Sequence, residues 1–332
     1  MSHKLKVLFV HQHPWSYVQR DLLILQGVYD VRECHFRGLR DIYPLRRGVA
    51  WCDVAFAWFG SLHAFFTVAF ARMLRKRTVV VAGGWDVGQP PDGMPYLWYK
   101  RWCPQYVFSH CDMTLTVSDF NTQEARANIP NISPVRCIYH GFEVDSFTPS
   151  RDVSKERSVL TVGTISHFYN ERKGLPLFVQ SARYLPNVQF RVVGGWWDSS
   201  IASLRALAPP NVTFLGEVSS QDILSIYRRS AAYVQASRHE AFACSLAEAM
   251  LCECVPVVTR SAALPEVVGD CGVYVQERTP EALARGISEA LKRPELGPRA
   301  RQRIVDCFPL EKRRREVLKT VEEVASSSQI TT

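Results

Sequence analysis

Short runs of consecutive apolar residues recur along the chain, each followed by a polar or glycine-bearing loop and then by a segment with apolar positions three and four apart. Such continuous runs predict strands buried on both faces, as in a parallel sheet with helices on either side. In the first half the strands fall at Lys6–Val10, Val28–Val31, Val54–Phe59, Thr78–Ala82, Met113–Val117 and Val135–Ile138. In the second half they fall at Val159–Val162, Phe190–Val193, Val212–Leu215, Tyr233–Val234 and Val255–Val258. Helical spacing covers Tyr17–Leu25, Leu62–Leu74, an aromatic-rich segment with Tyr96, Trp98, Tyr99, Trp102, Tyr106 and Phe108, and Thr122–Ala127 behind the N-cap Ser118. Further helices are expected at Ile223–Tyr227 behind Ser219, at Leu246–Leu251, at Pro280–Leu291 and at Pro309–Val324, where Lys312 to Arg315 read as a solvated face. Between them, Arg37, Arg40, Arg46 and Arg47 around Tyr43-Pro44 read as an irregular basic connection.

At 332 residues the chain exceeds one ordinary core. We place a first domain at 1–150, a second at 151–325 with a polar linker over 150–157, and a disordered tail at 326–332. The net charge of +8 is evenly spread, residues 1–150 holding 16 basic against 12 acidic side chains. Neither half is therefore a nucleic-acid module; the mild positive field suits anionic small molecules, an anionic membrane surface, or plain solvation. Ten cysteines without a Cys-x-x-Cys pair read as reduced thiols, and no signal-peptide core opens the chain, so a cytoplasmic protein is expected. Val54 to Ala71 is 18 residues without an acidic or basic side chain, the lower limit of a membrane span. Gly60, Ser61 and His63 interrupt it, and a strand followed by a helix ending in Arg72, Arg75, Lys76 and Arg77 fits better, its basic end offering a peripheral contact to lipid headgroups.

Candidate chemistry gathers where the strand Tyr233–Val234 runs through a polar loop into a helix. Glu240 lies in that loop, suited to accept hydrogen bonds from a polyhydroxylated ligand, and Glu248 lies eight residues on, inside the helix. Between them Ala241, Phe242, Ala243 and Cys244 supply the free N–H groups of a first helical turn, a seat for an anion. Hydroxyls at both ends and phosphate in the middle is the layout of a nucleotide sugar. Arg172 and Lys173, followed by Gly174, are expected at the start of a helix after the loop from Thr164, where adjacent cations would neutralise a departing diphosphate. In the first half His11, in the loop after the first strand, and Gly84, Trp85 and Asp86, after the fourth, occupy ends where parallel sheets bind ligands. There is no Asp-x-Asp, no Gly-x-Gly and no Gly-Lys-Ser/Thr, which disfavours the metal-binding glycosyltransferase class and excludes the dinucleotide fingerprint and the P-loop.

The Glu240 to Glu248 pair resembles the paired-glutamate motif of the retaining glycosyltransferases of family 4. Lys173-Gly174, Leu264 to Gly269, and Tyr139 to Pro149 resemble further segments of that family. The resemblance implies the GT-B fold: two Rossmann-like α/β domains, each a parallel sheet flanked by helices, facing across a cleft, with a last helix that often crosses back to the first domain. It implies that Glu240 holds the donor sugar, Glu248 the ribose, and Arg172 and Lys173 the diphosphate, with Gly163, Thr164, Gly216 and Glu217 completing the donor site. His11, Gly84, Trp85, Asp86 and His140 would face the acceptor, a glycan or a lipid-linked sugar. It implies front-face transfer from a nucleoside-diphosphate sugar with no cofactor or metal. This chain departs from the pattern at Trp85, in place of the usual His, at Thr164, in place of an Arg, and at Ala241 and Ala243, where glycines are usual. A catalytically weak sugar-nucleotide binder that partners another transferase, and a GT-B sugar epimerase, are the alternative readings.

Overall fold

A computed structural model describes residues 4–92 and 98–327, the side chains of 98–100 excepted; Tyr96 and the end of the expected tail lie outside the described residues. The chain divides into two compact units, Met1–Gly141 with Glu311–Thr332, and Phe142–Leu310.

Unit 1 alternates β1 (Lys6–His11), α1 (Ser16–Gln26), β2 (Asp30–His35), α2 (Ile42–Trp51), β3 (Val54–Trp58), α3 (Leu62–Met73), β4 (Arg77–Val81), α4 (Trp98–His110), β5 (Met113–Thr116), α5 (Asp119–Asn128) and β6 (Val135–Cys137). All six strands are parallel, in the order β2-β1-β3-β4-β5-β6. The charge-free stretch from Val54 resolves into fully buried β3 and the twelve-residue α3. Among the described residues no helix is long and apolar enough to cross a membrane.

Two expectations for this unit are corrected. The second strand begins at Asp30, beyond most of the apolar run at 28–31, because as an edge strand it pairs β1 on one side only and need not be apolar. The arginine-rich connection is helix α2: Pro44 falls in its first turn, where no N–H is required, and Leu45 and Val49, four apart, are buried.

The C-terminal helix, Leu310–Ser326, returns to unit 1 from Glu311 onward, so the span 151–325 is not one domain. Arg313 is not on a solvated face: it is 2% exposed, and its Nε and Nη2 donate to Asp21 Oδ1 and Oδ2, each at 2.7 Å. Its Nη1 donates to the carbonyls of Ile138 and Tyr139, and Trp58 Nε1 donates to Asp21 Oδ2 at 3.1 Å.

Unit 2 alternates β7 (Glu156–Val162), α6 (His167–Lys173), α7 (Leu175–Ser181), β8 (Gln189–Val193), α8 (Ser200–Leu207), β9 (Val212–Gly216), α9 (Ser220–Arg229), β10 (Ser230–Gln235), α10 (Cys244–Leu251), β11 (Val255–Thr259), α11 (Leu264–Val268), β12 (Val273–Val275), α12 (Pro280–Ala290) and α13 (Leu296–Cys307). Its strands, again parallel, run in the order β12-β11-β10-β7-β8-β9. The unit begins at Phe142 and not beyond residue 150, because residues 142–149 are fastened to it. Arg301 donates to the carbonyls of Val144 and Phe147, and Arg228 donates to both the carbonyl and the hydroxyl of Thr148.

Candidate active site

In unit 2 the strand order sets the loops after β10, β7, β8 and β9 side by side at the carboxyl edge of the sheet, where open parallel sheets bind ligands. Glu240 sits in the loop after β10. Lys173 Nζ (3.1 Å), Gln235 Nε2 (3.0 Å) and the Ser237 hydroxyl (2.9 Å) all donate to its Oε1. Burial alone would raise the pKa of this carboxyl, whose side chain is 12% exposed. The Lys173 ammonium, the Arg172 guanidinium and the Ser237 hydrogen bond outweigh that and hold it below the ordinary range.

A buried relay orients the donors. Tyr233 and Gln235, two apart on β10, share a face of the strand. The Tyr233 hydroxyl donates to Gln235 Oε1 at 3.1 Å while it accepts from the Val162 N–H and meets Ser245 Oγ at 2.8 Å. Gln235 Nε2 then spends its two protons on Ser237 Oγ and Glu240 Oε1. Burial raises the Tyr233 pKa, which keeps it a neutral donor. Tyr233, Gln235 and Ser237 were missed as site residues. Their signal was in the sequence: polar groups at every second position from Tyr233 near the end of the strand to Ser237 in the loop after it.

Arg172 and Lys173 lie in the last turn of the short helix α6, an end where the helix dipole favours cations, and Gly174 after them is the N-cap of α7. Gly174, at φ +68°, joins α6 to α7; a Cβ there would fall 2.4 Å from the Ala236 carbonyl oxygen. Arg172 is 8% exposed and donates from Nε to the His239 carbonyl, with Nη2 at 3.0 Å from His239 Nδ1, while its own carbonyl accepts from the Arg238 N–H. It thus fastens the Glu240 loop and acts on the site chiefly through its charge. Lys173 reaches Glu240 across Gly163, where a Cβ would lie 2.6 Å from Lys173 Cδ. Thr164 follows, half-buried, in the same loop.

Ala243 is the N-cap of α10 and adopts the left-handed conformation, φ 80° and ψ 68°, that a glycine would take without cost. Ala241 is not among the positive-φ residues. The Phe242 ring packs between Phe142 and Phe308, so only its backbone is available to a ligand. Cys244 opens α10 and Glu248 lies half-buried within it. Gly216, at φ +74°, ends β9, and Glu217 follows it, exposed.

The residues expected to face an acceptor all fall in unit 1, and most are enclosed. Asp86 is wholly buried and accepts from the Gly60 and Gly84 N–H groups, which makes it a residue that shapes the loop; burial pushes its pKa up to about 6 against those bonds. His11 is 1% exposed, with Nε2 at 2.7 Å from Glu33 Oε1 and Nδ1 buried without a partner among the described residues. His140 stacks on Trp58 at 5.9 Å, and burial, helped by Arg313 and Arg20, lowers its pKa well below the usual value. Gly84 turns at φ +109°, and Trp85 beside it is partly exposed. Among the described residues no group of three or more His, Cys, Asp or Glu is placed to hold a metal ion, and all ten cysteines are free.

Residues 156–293 match the family model of glycosyl transferases group 1. The chain is 27% identical over 205 residues to an Arabidopsis thaliana subunit of phosphatidylinositol N-acetylglucosaminyltransferase, covering 58% of this chain and 45% of that protein. It is 26% identical over 185 residues to the D-inositol 3-phosphate glycosyltransferase of Mycobacterium sp. (strain JLS), covering 50% and 41%. The matched stretches thus span less than half the length of either relative. In fold it is similar to Anabaena Alr3699/HepE in complex with UDP and glucose, with a TM-score of 0.80 at 16% identity over 97% of this chain and 100% of that one. It is likewise similar to sucrose-phosphate synthase from Thermosynechococcus elongatus, with a TM-score of 0.78 at 14% identity over 98% and 100%. The two parallel α/β sheets and these likenesses give the chain the GT-B fold, and its residues 156–293 match the group 1 glycosyltransferases.

Proposed function

We propose that the protein is a retaining glycosyltransferase that moves a hexose-type sugar from a nucleoside-diphosphate sugar to a hydroxyl of a glycan or lipid-linked acceptor, without a metal. The observation that carries this reading is the asymmetry of Glu240. Three donors converge on Oε1, which fixes the carboxylate and leaves Oε2 for the hydroxyls of a bound sugar. Lys173 is the cation for the leaving diphosphate, and the amides from Ala241 to Cys244 are the donors to its phosphates. In front-face transfer the bond from the anomeric carbon to the diphosphate breaks and the bond to the acceptor oxygen forms on the same face. The departing phosphate takes the acceptor's proton, so the protein supplies position and charge and no side-chain base. Acceptor recognition falls to the loops that end the strands of unit 1, among them Gly84 and Trp85.

Thermal stabilisation by UDP, GDP, ADP and their sugars, with and without EDTA, tests this. A nucleotide at 100 times its Kd should stabilise by about 2.7 kcal/mol. The effect should survive EDTA, disappear in Lys173→Ala, and in Glu240→Ala lose only the increment due to the sugar. No stabilisation by any of them, or a product of inverted anomeric configuration by NMR, would sink the proposal.

A further inference from the structure

This inference rests on reading unit 2 as a nucleotide-sugar site and concerns which nucleotide it takes. Two glycine turns, Gly194-Gly195 after β8 and Gly216-Glu217 after β9, come together: the Gly194 N–H donates to the Gly216 carbonyl at 2.8 Å. A Cβ on Gly194 would lie 2.2 Å from the Gly163 carbonyl oxygen, so this turn also sits against the Gly163 turn that the Lys173 side chain crosses. Trp196 comes next, and its backbone is pinned on both sides. The Ile165 N–H donates to the Gly195 carbonyl (2.9 Å) and the Trp197 N–H to the Ile165 carbonyl (3.0 Å). Asp198 closes the turn by accepting the N–H groups of His167 and Ser200.

On this fixed backbone the Trp196 ring is 45% exposed, its edge against Gly216, where a Cβ would lie 3.3 Å from it, and the Arg205 guanidinium 5.5 Å from its centroid. A half-exposed indole on a fixed backbone at the carboxyl edge of a parallel sheet is a stacking platform. Beside it, the Glu217 side chain runs over Gly195, whose Cβ would lie 3.5 Å from Oε2. This carboxylate is exposed and makes no ion pair among the described residues.

We infer that Trp196 and Glu217 form the nucleobase subsite and that it selects guanine. Trp196 stacks on the base. Glu217 accepts the two adjacent donors of guanine, N1–H and the exocyclic amine, as a bidentate pair. Uracil offers one N–H flanked by two carbonyl oxygens, which a carboxylate repels. Adenine and cytosine each set a ring acceptor beside their amine, so one carboxylate oxygen would face a lone pair.

Calorimetric titration of the full chain with GDP, UDP, ADP and CDP, for the wild type, Trp196→Ala, Trp196→Phe and Glu217→Gln, decides the matter. We expect GDP to bind at least about tenfold tighter than the others. Trp196→Ala should weaken every nucleotide by about 5- to 150-fold, the range of a lost base stack, and Trp196→Phe should recover most of that. Glu217→Gln should abolish the preference for GDP while leaving UDP within about twofold, as expected for loss of a charge-assisted pair. Nucleotide binding by the wild type that favours another base, or that neither Trp196→Ala nor Glu217→Gln alters, overturns the inference and leaves the transferase reading standing. Absence of nucleotide binding by the wild type overturns both.

Discussion

The loop that leads from Glu240 into α10 contains two alanines where the resemblance leads one to expect glycine, and the structure gives them opposite predictions. Ala243 is held at φ 80°, in the left-handed region, which costs an L-residue with a Cβ about 1–2 kcal/mol. Ala243→Gly removes that cost but gives the unfolded chain extra freedom worth about 0.4–1 kcal/mol. The net expectation is a more stable protein by about 0.5–1 kcal/mol. Ala241 has ordinary backbone geometry and is 7% exposed. Ala241→Gly gains nothing in the folded state, loses a buried methyl, and carries the same entropic penalty, so it should lose about 1–2 kcal/mol. Urea unfolding measures both, as shifts of midpoint at constant m. Because Ala243 already holds the conformation a glycine would take, its replacement should leave nucleotide affinity within about twofold, a change of under 0.5 kcal/mol. A destabilised Ala243→Gly, or two variants shifted the same way, would refute the claim that left-handed strain is stored at this one position.

Arg313→Met strands Asp21 as an uncompensated buried charge and should destabilise by about 3–5 kcal/mol. Arg314→Met, at an exposed neighbour paired with Glu311, should stay within about 0.5 kcal/mol in the same denaturation experiment. The Tyr227 hydroxyl is fully buried and has no hydrogen-bond partner among the described residues, so Tyr227→Phe should stabilise by about 1 kcal/mol, seen as a higher Tm. His63 is wholly buried, and burial lowers its pKa to about 4 against the opposing hydrogen bond to the Trp58 carbonyl. Its folded value lies below the unfolded value near 6.5, so the unfolded chain takes up the proton first. The contribution is therefore complete above about pH 6.5 and lost as pH falls to about 4, roughly 3 kcal/mol in all. Urea midpoints at neutral and acidic pH should show this loss in the wild type and much less of it in His63→Gln.

What the sequence disclosed, and what it hid, follows from the range of the forces involved. Central strands such as β3 and β11 were legible because burial on both faces demands an unbroken apolar run. Edge strand β2 was legible in its place in the chain order but not in its extent, since half its surroundings are solvent and its length is set by the free side of β1. Helix α2 was masked by Pro44 and four arginines, although Leu45 and Val49 carried the helical spacing. No local pattern separates Arg313 from Arg314, because its partner Asp21 lies 292 residues away. The site divides along the same line. The identities of Glu240 and Lys173 came through the motif, whereas the convergence of three donors on one carboxylate oxygen depends on β10 lying next to β7 and on alternate residues sharing one face of β10. This arrangement also explains why Tyr233, an apolar strand residue by composition, matters to the site. It fixes which way Gln235 points, and Gln235 in turn fixes which oxygen of Glu240 is left for a ligand. On the proposed donor reading, Tyr233→Phe should weaken calorimetric binding of the nucleotide sugar while leaving that of the free nucleotide unchanged.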